Sequence, residues 1–471
     1  MKRLINKMHL NFILGLGFLF YGCSLSPTYE DPEVNLPYAL PTQASLEKIS
    51  KTWWEDFNDQ TLNILVQEAL DNNYDLAVAM QRVEQARSSW SYARSDRYPN
   101  ISAQGEGVRT KANESDPKNY YNSFSLSAVL SFELDLWGRA RDADRSAYAK
   151  LLASKANRDT VRLSLIANVA ESYFGILTFN NQVELSKKTL KAREENYEYL
   201  RKEFEVGKTS EMDMQQARSE MASVRAQLQS LMMEQNAAQT SLMILLGRDP
   251  QALFDVQLPT QAKNLPKAPI VPVGIPSSVL EQRPDIEMAT QNLKSANFAI
   301  GVARSAYFPI ISLTGMAGYV SPEFNELIRS SNSTWNYGGN FIANLLDFGR
   351  TSANVRLSES QYEEMLLNYG QTVRNAFGEV RDSLFNYSTT QEKVKSVDEQ
   401  VEALQRALIL ADLRYKEGYS NYLEVLNMQS SLFAAELNQQ SAKLENLSAA
   451  ISLYKAFGGG WDKETYDIDE E

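Results

Sequence analysis

Apolar and polar residues alternate strictly in two stretches of the chain, and this pattern predicts β-strands over about 123–135 and about 334–346. The apolar positions are Phe124, Leu126, Ala128, Leu130, Phe132 and Leu134 in the first stretch and Trp335, Tyr337, Gly339, Phe341, Ala343 and Leu345 in the second. Similar patterns predict partner strands over about 100–110 and about 310–320. Strands of about ten residues with one apolar face are typical of outer-membrane barrels. A soluble sandwich with one solvated face is the alternative.

A helical periodicity replaces this alternation in most of the remaining chain. It predicts long helices over about 137–206 and about 350–417, each on the order of 100 Å long at roughly 1.5 Å per residue. Return helices are predicted over about 210–246 and about 420–457, where core positions recur in alternating steps of three and four, as in coiled coils. A helix near Thr61–Asp96 is expected to stack end to end with the first return helix, because their summed length matches one long helix.

The two sets of elements form a duplication with an offset of 210 to 211 residues. Val169, Glu171, Ser172 and Phe174 recur as Val380, Asp382, Ser383 and Phe385, and Trp137-Gly138-Arg139 recurs as Phe348-Gly349-Arg350. The first repeat is predicted over 53–278, including an equatorial segment, and the second over 279–460. An extended arm over 23–52 precedes them and an acidic tail over 461–471 follows. A unit of this length is too long for a solenoid repeat and predicts two equivalent halves.

Four strands are too few for a membrane barrel made by one chain. Sheet edges exposed to lipid are not tolerated, and single-chain barrels have at least about eight strands. The chain is therefore expected to contribute its strands to a barrel shared between copies. Eight, twelve and sixteen strands in total all satisfy this argument.

The first 22 residues have the character of a bacterial export signal, with Lys2, Arg3 and Lys7 before a short apolar core. Gly22 precedes Cys23, the only cysteine, in a segment similar to the lipobox of bacterial lipoproteins. Cys23 is thus the predicted lipid attachment point, with an ordinary signal peptide as the alternative. By the same resemblance, Ser24 in the next position favours the outer membrane over retention at the inner one, so we expect a protein that a lipid anchors to the outer membrane.

The composition excludes several classes of function. A formal charge of −12 argues against nucleic acid as a partner. The only histidine, His9, lies in the predicted signal, so the mature chain would lack histidine-dependent catalysis and histidine metal ligands. No catalytic motif is recognisable, and we expect neither an enzyme nor a metal site. We also expect no cofactor other than the covalent lipid, although carboxylate chemistry alone is not excluded.

The motifs together resemble the TolC-like outer-membrane efflux channels, in their lipid-anchored OprM-like (NodT-type) branch. The matching motifs are Trp53-Trp54-Glu55-Asp56-Phe57, Leu134-Asp135-Leu136-Trp137-Gly138-Arg139, Leu280-Glu281-Gln282-Arg283-Pro284-Asp285-Ile286, Leu345-Leu346-Asp347-Phe348-Gly349-Arg350 and Ala456-Phe457-Gly458-Gly459-Gly460-Trp461. The resemblance implies a mainly α-helical fold with transmembrane β-strands. It implies a homotrimer in which a 12-stranded β-barrel continues into a 12-helix periplasmic α-barrel.

The resemblance also implies a function, which is passive export through a tripartite system with a periplasmic adaptor and an inner-membrane pump of the resistance-nodulation-division (RND) class. Drugs, toxic small molecules or metal ions are the expected cargo. A type I secretion channel that exports proteins is one alternative. A pore-less structural lipoprotein that spans the periplasm is another.

In this family the helix-hairpin tips close the periplasmic end of the channel. The tips correspond here to the turns at Gly207 and Gly418, and the resemblance makes Asp213, Tyr415 and Glu424 the gate candidates. Asp213 is expected to accept a hydrogen bond from Tyr415, and Glu424 from three chains is expected to form an acidic ring. Two residues depart from the best-studied family member, which has an arginine where this chain has Ser420 and a second acidic residue where this chain has Asn427.

Overall fold

The computed structural model describes residues 24–32, 49–111, 120–254, 265–271 and 283–461. The described chain is mostly helical. The helices are α1 (Gln60–Asn72), α2 (Tyr74–Ser95), α3 (Arg139–Glu205), α4 (Glu211–Leu245), α5 (Pro284–Ser305), α6 (Arg350–Lys416) and α7 (Tyr422–Ala456). The strands are β1 (Asn100–Lys111), β2 (Tyr120–Glu133), β3 (Ile310–Ser321) and β4 (Ser333–Ile342). None of these helices is long and apolar enough to cross a bilayer.

Equivalent helices of the two repeats have equal lengths. Helices α2 and α5 each have 22 residues, α3 and α6 each have 67, and α4 and α7 each have 35. The start of α5 follows that of α2 by 210 residues, and the start of α6 follows that of α3 by 211. The offset found in the sequence is therefore also the offset of the folded elements.

The single helix expected near residues 61–96 is wrong, because the structure breaks it at Asn73. Asn73 has extended backbone angles (φ −67°, ψ 128°) and its side-chain Oδ1 accepts a hydrogen bond of 3.0 Å from the amide of Leu76. Asparagine competes well for such capping positions, since its short side chain replaces the missing helical partner. The chain thus ends one helix and starts another with a single intervening residue.

The two repeats join their helices end to end by the same contact, made with different residue types. In the first repeat, Asn73 Nδ2 donates a 2.9 Å hydrogen bond to the carbonyl of Leu245, the last residue of α4. In the second, Arg283 donates a 2.8 Å hydrogen bond to the carbonyl of Ala456, the last residue of α7. Each bond satisfies a helix-terminal carbonyl that has no partner within its own helix. A specific hydrogen bond therefore stabilises the expected end-to-end arrangement of α2 with α4.

The chain divides into two compact units, and the larger one carries the main hydrophobic core. Its centre is the aromatic motif that follows the arm, where Trp53 is fully buried and stacks on Tyr454 with ring centroids 5.0 Å apart. Phe57 packs against Phe174 in the middle of α3, with centroids 5.2 Å apart. Burial of each such ring stabilises the unit by about 1.5–3 kcal/mol. The motif near residue 53 therefore anchors the start of the first repeat.

The other unit contains the sheet, whose strands lie in the order β1-β2-β3-β4 and are all antiparallel to their neighbours. Each repeat supplies one hairpin, and β2 pairs with β3 between them. Strand β4 ends at Ile342, earlier than expected, and β2 begins at Tyr120, earlier than expected. After β4 the chain enters the turn in which Asp347 accepts a 2.9 Å hydrogen bond from the amide of Thr351 in α6.

Candidate functional site

Both hairpin tips reverse direction at a glycine with left-handed backbone angles. The φ angles are +75° at Gly207 and +78° at Gly418, in the turns that join α3 to α4 and α6 to α7. In the first tip the amide of Lys208 donates a 2.8 Å hydrogen bond to the carbonyl of Glu203, and Tyr419 and Arg414 form the same bond in the second. This is the pattern of helix ends that need a residue without a Cβ. The two predicted turn glycines thus have matching geometry.

Asp213 lies in the first turn of α4 and interacts with two hydroxyl groups of its own tip. Its carboxylate accepts hydrogen bonds from Ser210 at 2.7 Å and Thr209 at 3.2 Å. The Ser210 hydroxyl in turn accepts a 3.1 Å bond from the Asp213 amide, so Ser210 caps the helix and also holds the Asp213 carboxylate. A carboxylate at this position is also favoured by the helix dipole. The side chain is therefore held in place by neutral donors.

Tyr415 lies near the end of α6, with about a third of its surface exposed. Its ring packs edge to face on Tyr422, with centroids 5.3 Å apart. Burial raises the pKa of Tyr415, and the nearby Tyr199 hydroxyl and Asp213 carboxylate raise it further. Tyr415 and Asp213 therefore lie close enough to interact electrostatically, but no hydrogen bond joins them within the described part of this single chain.

Glu424 lies in the first turn of α7, where Asn421 caps the helix through a 3.3 Å hydrogen bond from the Glu424 amide. Its carboxylate forms an ion pair of 3.5 Å with Arg414 of α6. Both side chains are largely exposed, at 40% for Glu424 and 58% for Arg414, so the pair adds little stability. Because the contact is weak, Glu424 is available to other partners at the tip. The hydroxyl of Ser420, in the turn before α7, is buried and has no hydrogen-bond partner among the described residues.

The sequence reasoning missed a buried arginine in α3, which lies before the first tip in the chain. Arg193 is 3% exposed and donates hydrogen bonds to Gln429 and, at 3.1 Å, to Ser430, both on α7. Ser430 also donates a 2.8 Å bond to Glu220 of α4. Burial lowers the pKa of the Arg193 guanidinium, and the Glu220 carboxylate partly opposes this. Arg193 thus connects three helices above the tips.

A periodic signal for this arginine exists in the sequence. The alternating steps of three and four that mark core positions connect Phe179, Val183, Ser186, Leu190 and Arg193, and Leu200 follows one full heptad later. Val183 and Leu200 are 5% and 3% exposed, so the pattern predicts the buried side correctly. A charged residue at such a position requires polar partners, which the chain supplies from α7.

The sheet has two edges, β1 and β4, that pair with no other strand of the described chain. Large apolar side chains on β4 are exposed, at 70% for Trp335, 80% for Tyr337 and 74% for Phe341. Unpaired edges with exposed apolar side chains are sites for pairing with another strand. Cys23, the predicted lipid attachment point, lies outside the described residues.

Comparison with known proteins finds the same family over both repeats. The family described as "Outer membrane efflux protein" matches residues 65–248 and 275–459. Over 483 residues the chain is 33% identical to the probable efflux pump outer membrane protein TtgC of Pseudomonas putida, covering 100% of this chain and 98% of TtgC. Over 459 residues it is 31% identical to the probable outer membrane lipoprotein SilC of Salmonella typhimurium, covering 94% of this chain and 97% of SilC. The crystal structure of the Campylobacter jejuni CmeC outer membrane channel superimposes with a TM-score of 0.89 at 30% identity, covering 95% of this chain and 98% of CmeC.

Proposed function

We propose, from the premise that this chain belongs to the outer membrane efflux protein family and is the outer-membrane channel of a tripartite efflux system, that three copies form one passive exit duct. The resemblance inferred from the sequence motifs is confirmed at the level of family, function and outer-membrane location. In the proposed assembly three sheets close a 12-stranded barrel. The long helices of both repeats line a periplasmic tunnel.

The observation that carries this proposal is the open four-stranded sheet. A bilayer contains no water to satisfy free backbone groups, so both edges must be paired when the sheet lies in the membrane. Other copies of the chain supply the missing strands with the correct length and apolar face. The number three follows from the family rather than from the sheet.

Native mass spectrometry of the protein purified from outer membranes in mild detergent tests this assembly. We expect one complex of three copies, which heating in sodium dodecyl sulfate converts to monomers. A monomer that remains the main species in mild detergent would contradict the shared barrel. The same preparation serves the measurements of gating below.

The duct makes and breaks no bond, and the energy for export comes from an RND-class pump joined through a periplasmic adaptor. Drugs, toxic small molecules or metal ions are the proposed cargo. The name of a related Pseudomonas putida protein, the toluene efflux pump outer membrane protein TtgC, favours small molecules over proteins as cargo. If cargo is selected in the pump, a chimeric system with another pump will change the exported compounds without any change to this chain.

The gate is proposed to lie at the two hairpin tips, with Asp213, Tyr415 and Glu424 as its polar residues. Within one chain the Asp213 carboxylate is held by Ser210 and Thr209, and it also raises the pKa of Tyr415. In the closed tip the Tyr415 hydroxyl takes the place of Thr209, the weaker of the two neutral donors to this carboxylate. The exchange leaves the number of hydrogen bonds unchanged, but the new charge-assisted bond joins the two tips.

Asp213→Ala tests this gate in planar bilayers, and Glu211→Ala is the matched control, because Glu211 is also a first-turn acid of α4. We expect the Asp213 variant to raise the conductance or the open fraction of the channel at the same number of channels, while the control leaves both unchanged. Equal conductance of Asp213→Ala and the unmodified protein would remove Asp213 from the gate.

Glu424 is proposed to form an acidic ring, since three copies place three carboxylates around one axis. Such a ring attracts cations and repels anions within a narrow opening. The ion pair of Glu424 with Arg414 is exposed and weak, so breaking this pair to form the ring costs little free energy.

Cys23 is proposed to carry the lipid anchor after removal of the segment 1–22. The name of SilC as a probable outer membrane lipoprotein supports this assignment. Mass spectrometry of the mature N-terminus is expected to show a diacylglyceryl thioether on Cys23. Detection of a mature N-terminus with an unmodified cysteine would contradict it, and Ser24→Asp tests whether the next residue sets the choice of membrane.

A further inference from the structure

The two hairpins of the sheet have the same register once the repeat offset is applied. Ile101 lies opposite Leu130 in the first hairpin, and their counterparts Ile311 and Phe341 lie opposite each other in the second. Every described pair of β1 with β2 that has a counterpart in β3 with β4 obeys this rule. The hairpins are therefore structurally equivalent. The strand pairing between them is a template for the pairing of one hairpin with the next in a shared barrel.

The contact between the hairpins is the pairing of β2 with β3, in which Leu130 lies opposite Gly315. The counterpart of β2 is β4 and the counterpart of β3 is β1, and these are the two free edges. We propose that β4 of one copy pairs antiparallel with β1 of a second copy in the register that sets Phe341 opposite Gly105. This inference rests on the proposed assembly and names the atomic register of its strand contact.

One pair of the proposed register differs from its counterpart within the chain. Between the hairpins, Gly318 faces Ser127, and a Cβ on Gly318 would lie 2.2 Å from the Leu126 carbonyl oxygen and 2.6 Å from the Ser127 Cα, so the two backbones lie too close there for a side chain at position 318. In the proposed contact Val108 takes the place of Gly318 and faces Gly338, so β1 and β4 are expected to lie further apart at this pair than β2 and β3. No atom lies within 4 Å of the position a Gly338 Cβ would take in the single chain, which leaves room for the incoming valine.

Large side chains also meet small ones elsewhere in the contact. Gly315 accommodates Leu130 between the hairpins, with the Leu130 Cβ 4.0 Å from the Cβ position of the glycine. The proposed register gives Phe341, which is 74% exposed in the single chain, the equivalent place opposite Gly105. A shift by one residue would turn every such side chain to the wrong face of the sheet.

The charges and rings of the two edges match in the same register. Arg109 and Lys111 on β1 come to lie opposite Tyr337 and Trp335 on β4. These two rings stack in parallel with centroids 5.7 Å apart, and they are 80% and 70% exposed. Arg109 already lies over the ring of Tyr120, 4.9 Å from its centroid. Directly opposite residues in antiparallel strands share a face, so each cation meets an aromatic ring.

The turns after the strands extend the same contact. Trp137 stacks on Phe308 with centroids 4.7 Å apart and donates a 2.8 Å hydrogen bond to the carbonyl of Pro309. Its counterpart Phe348 is 91% exposed and has a φ of +51°, a left-handed conformation that a phenylalanine rarely adopts. The counterpart of Phe308 is Tyr98, which is 60% exposed. Phe348 of one copy is therefore assigned to the surface formed by Tyr98 and Pro99 of the next.

Disulfide formation between copies tests the register. The pair Asn340→Cys with Glu106→Cys is opposite in the proposed contact, whereas Asn340→Cys with Gln104→Cys and Asn340→Cys with Val108→Cys are displaced by two residues in either direction. Displaced partners are about 7–8 Å apart, too far for an unstrained disulfide. On oxidation of outer membranes we expect the opposite pair to form cross-linked dimers and trimers on the order of tenfold faster than either displaced pair.

Faster cross-linking of a displaced pair would overturn the register. The absence of cross-linking in all three pairs, in a complex that remains trimeric, would also overturn it. A preparation that is monomeric by native mass spectrometry would overturn the proposed assembly and this inference with it. The protein without introduced cysteines controls for Cys23.

A second variant tests the turn independently of cysteine geometry. We expect Phe348→Ala to lower the temperature at which the complex dissociates into monomers, while Phe254→Ala, which removes a ring that is 88% exposed outside the sheet, leaves it unchanged. Equal dissociation temperatures for both variants would remove Phe348 from the contact.

Discussion

Replacing Gly247 with alanine should loosen the point where the first return helix meets the helices before it. Gly247 has a φ of +66°, and an added Cβ would lie 2.2 Å from the carbonyl oxygen and 2.7 Å from the carbonyl carbon of Asn72. Both atoms belong to the backbone, so they cannot move aside as a flexible side chain would. Asn73, the next residue, holds the carbonyl of Leu245. The clash therefore falls directly on the end-to-end contact of α2 with α4.

The magnitude follows from two contributions. An L-residue in the left-handed region costs about 1–2 kcal/mol. Forcing a methyl group into a filled space costs about 1–3 kcal/mol more. Gly207→Ala is the matched control, because Gly207 has a φ of +75° but no atom lies within 4 Å of its Cβ position. The control therefore reports the backbone contribution alone.

Hydrogen exchange measured by mass spectrometry separates the two variants. We expect amides near Asn72 and Leu245 to exchange at least about tenfold faster in Gly247→Ala, since about 1.4 kcal/mol corresponds to a factor of ten. In Gly207→Ala faster exchange should be confined to the first tip. Unchanged exchange near Asn72 in the Gly247 variant would refute the reasoning.

Three further predictions concern the core and the tip. Asn73→Ala removes the cap of α2 and the bond to Leu245, so we expect it to lower the free energy of local opening there by about 1–3 kcal/mol in the same exchange experiment; no change would show that the contact is dispensable. Burial raises the pKa of Glu171, so its ionised form opposes folding at neutral pH. Glu171→Gln should raise the apparent unfolding temperature at pH 7.5, and the gain should decline as the pH falls through the pKa of the folded state and disappear below the lower pKa of the unfolded chain. A gain that is independent of pH would contradict this. Glu424→Gln should shift the reversal potential in a salt gradient toward lower cation selectivity, and an unchanged potential would exclude the acidic ring.

Periodicity predicted most of the helices and strands, because helix and strand each impose a fixed spacing on buried residues. The alternation around Leu126 and Leu130 and the heptad steps around Leu228 follow from this spacing, and Leu228 is indeed buried. The duplication added a second sample of each pattern. Family membership, in contrast, was predicted from motifs whose individual contacts the sequence does not reveal.

The features that sequence reasoning missed depend on contacts between distant residues. The break at Asn73 is stabilised by the carbonyl of Leu245, 172 residues away, and the local signal, an asparagine that can cap a helix, does not by itself fix where the helix breaks. Arg193 occupies a core position whose polar partners lie on α7, and only the folded chain brings them together. Phe348 and Trp137 occupy equivalent positions in the two repeats, but in the described chain the Trp137 ring stacks on Phe308 and the Phe348 ring is 91% exposed.

Single-channel recording in a planar bilayer tests the central claim most directly. Purified complexes of the unmodified protein should insert in uniform steps of conductance, with mostly closed or low-conductance behaviour that rises in Asp213→Ala and not in Glu211→Ala. A preparation that inserts as intact trimers but shows no conductance in any variant would contradict the account of this chain as the exit duct of an efflux system.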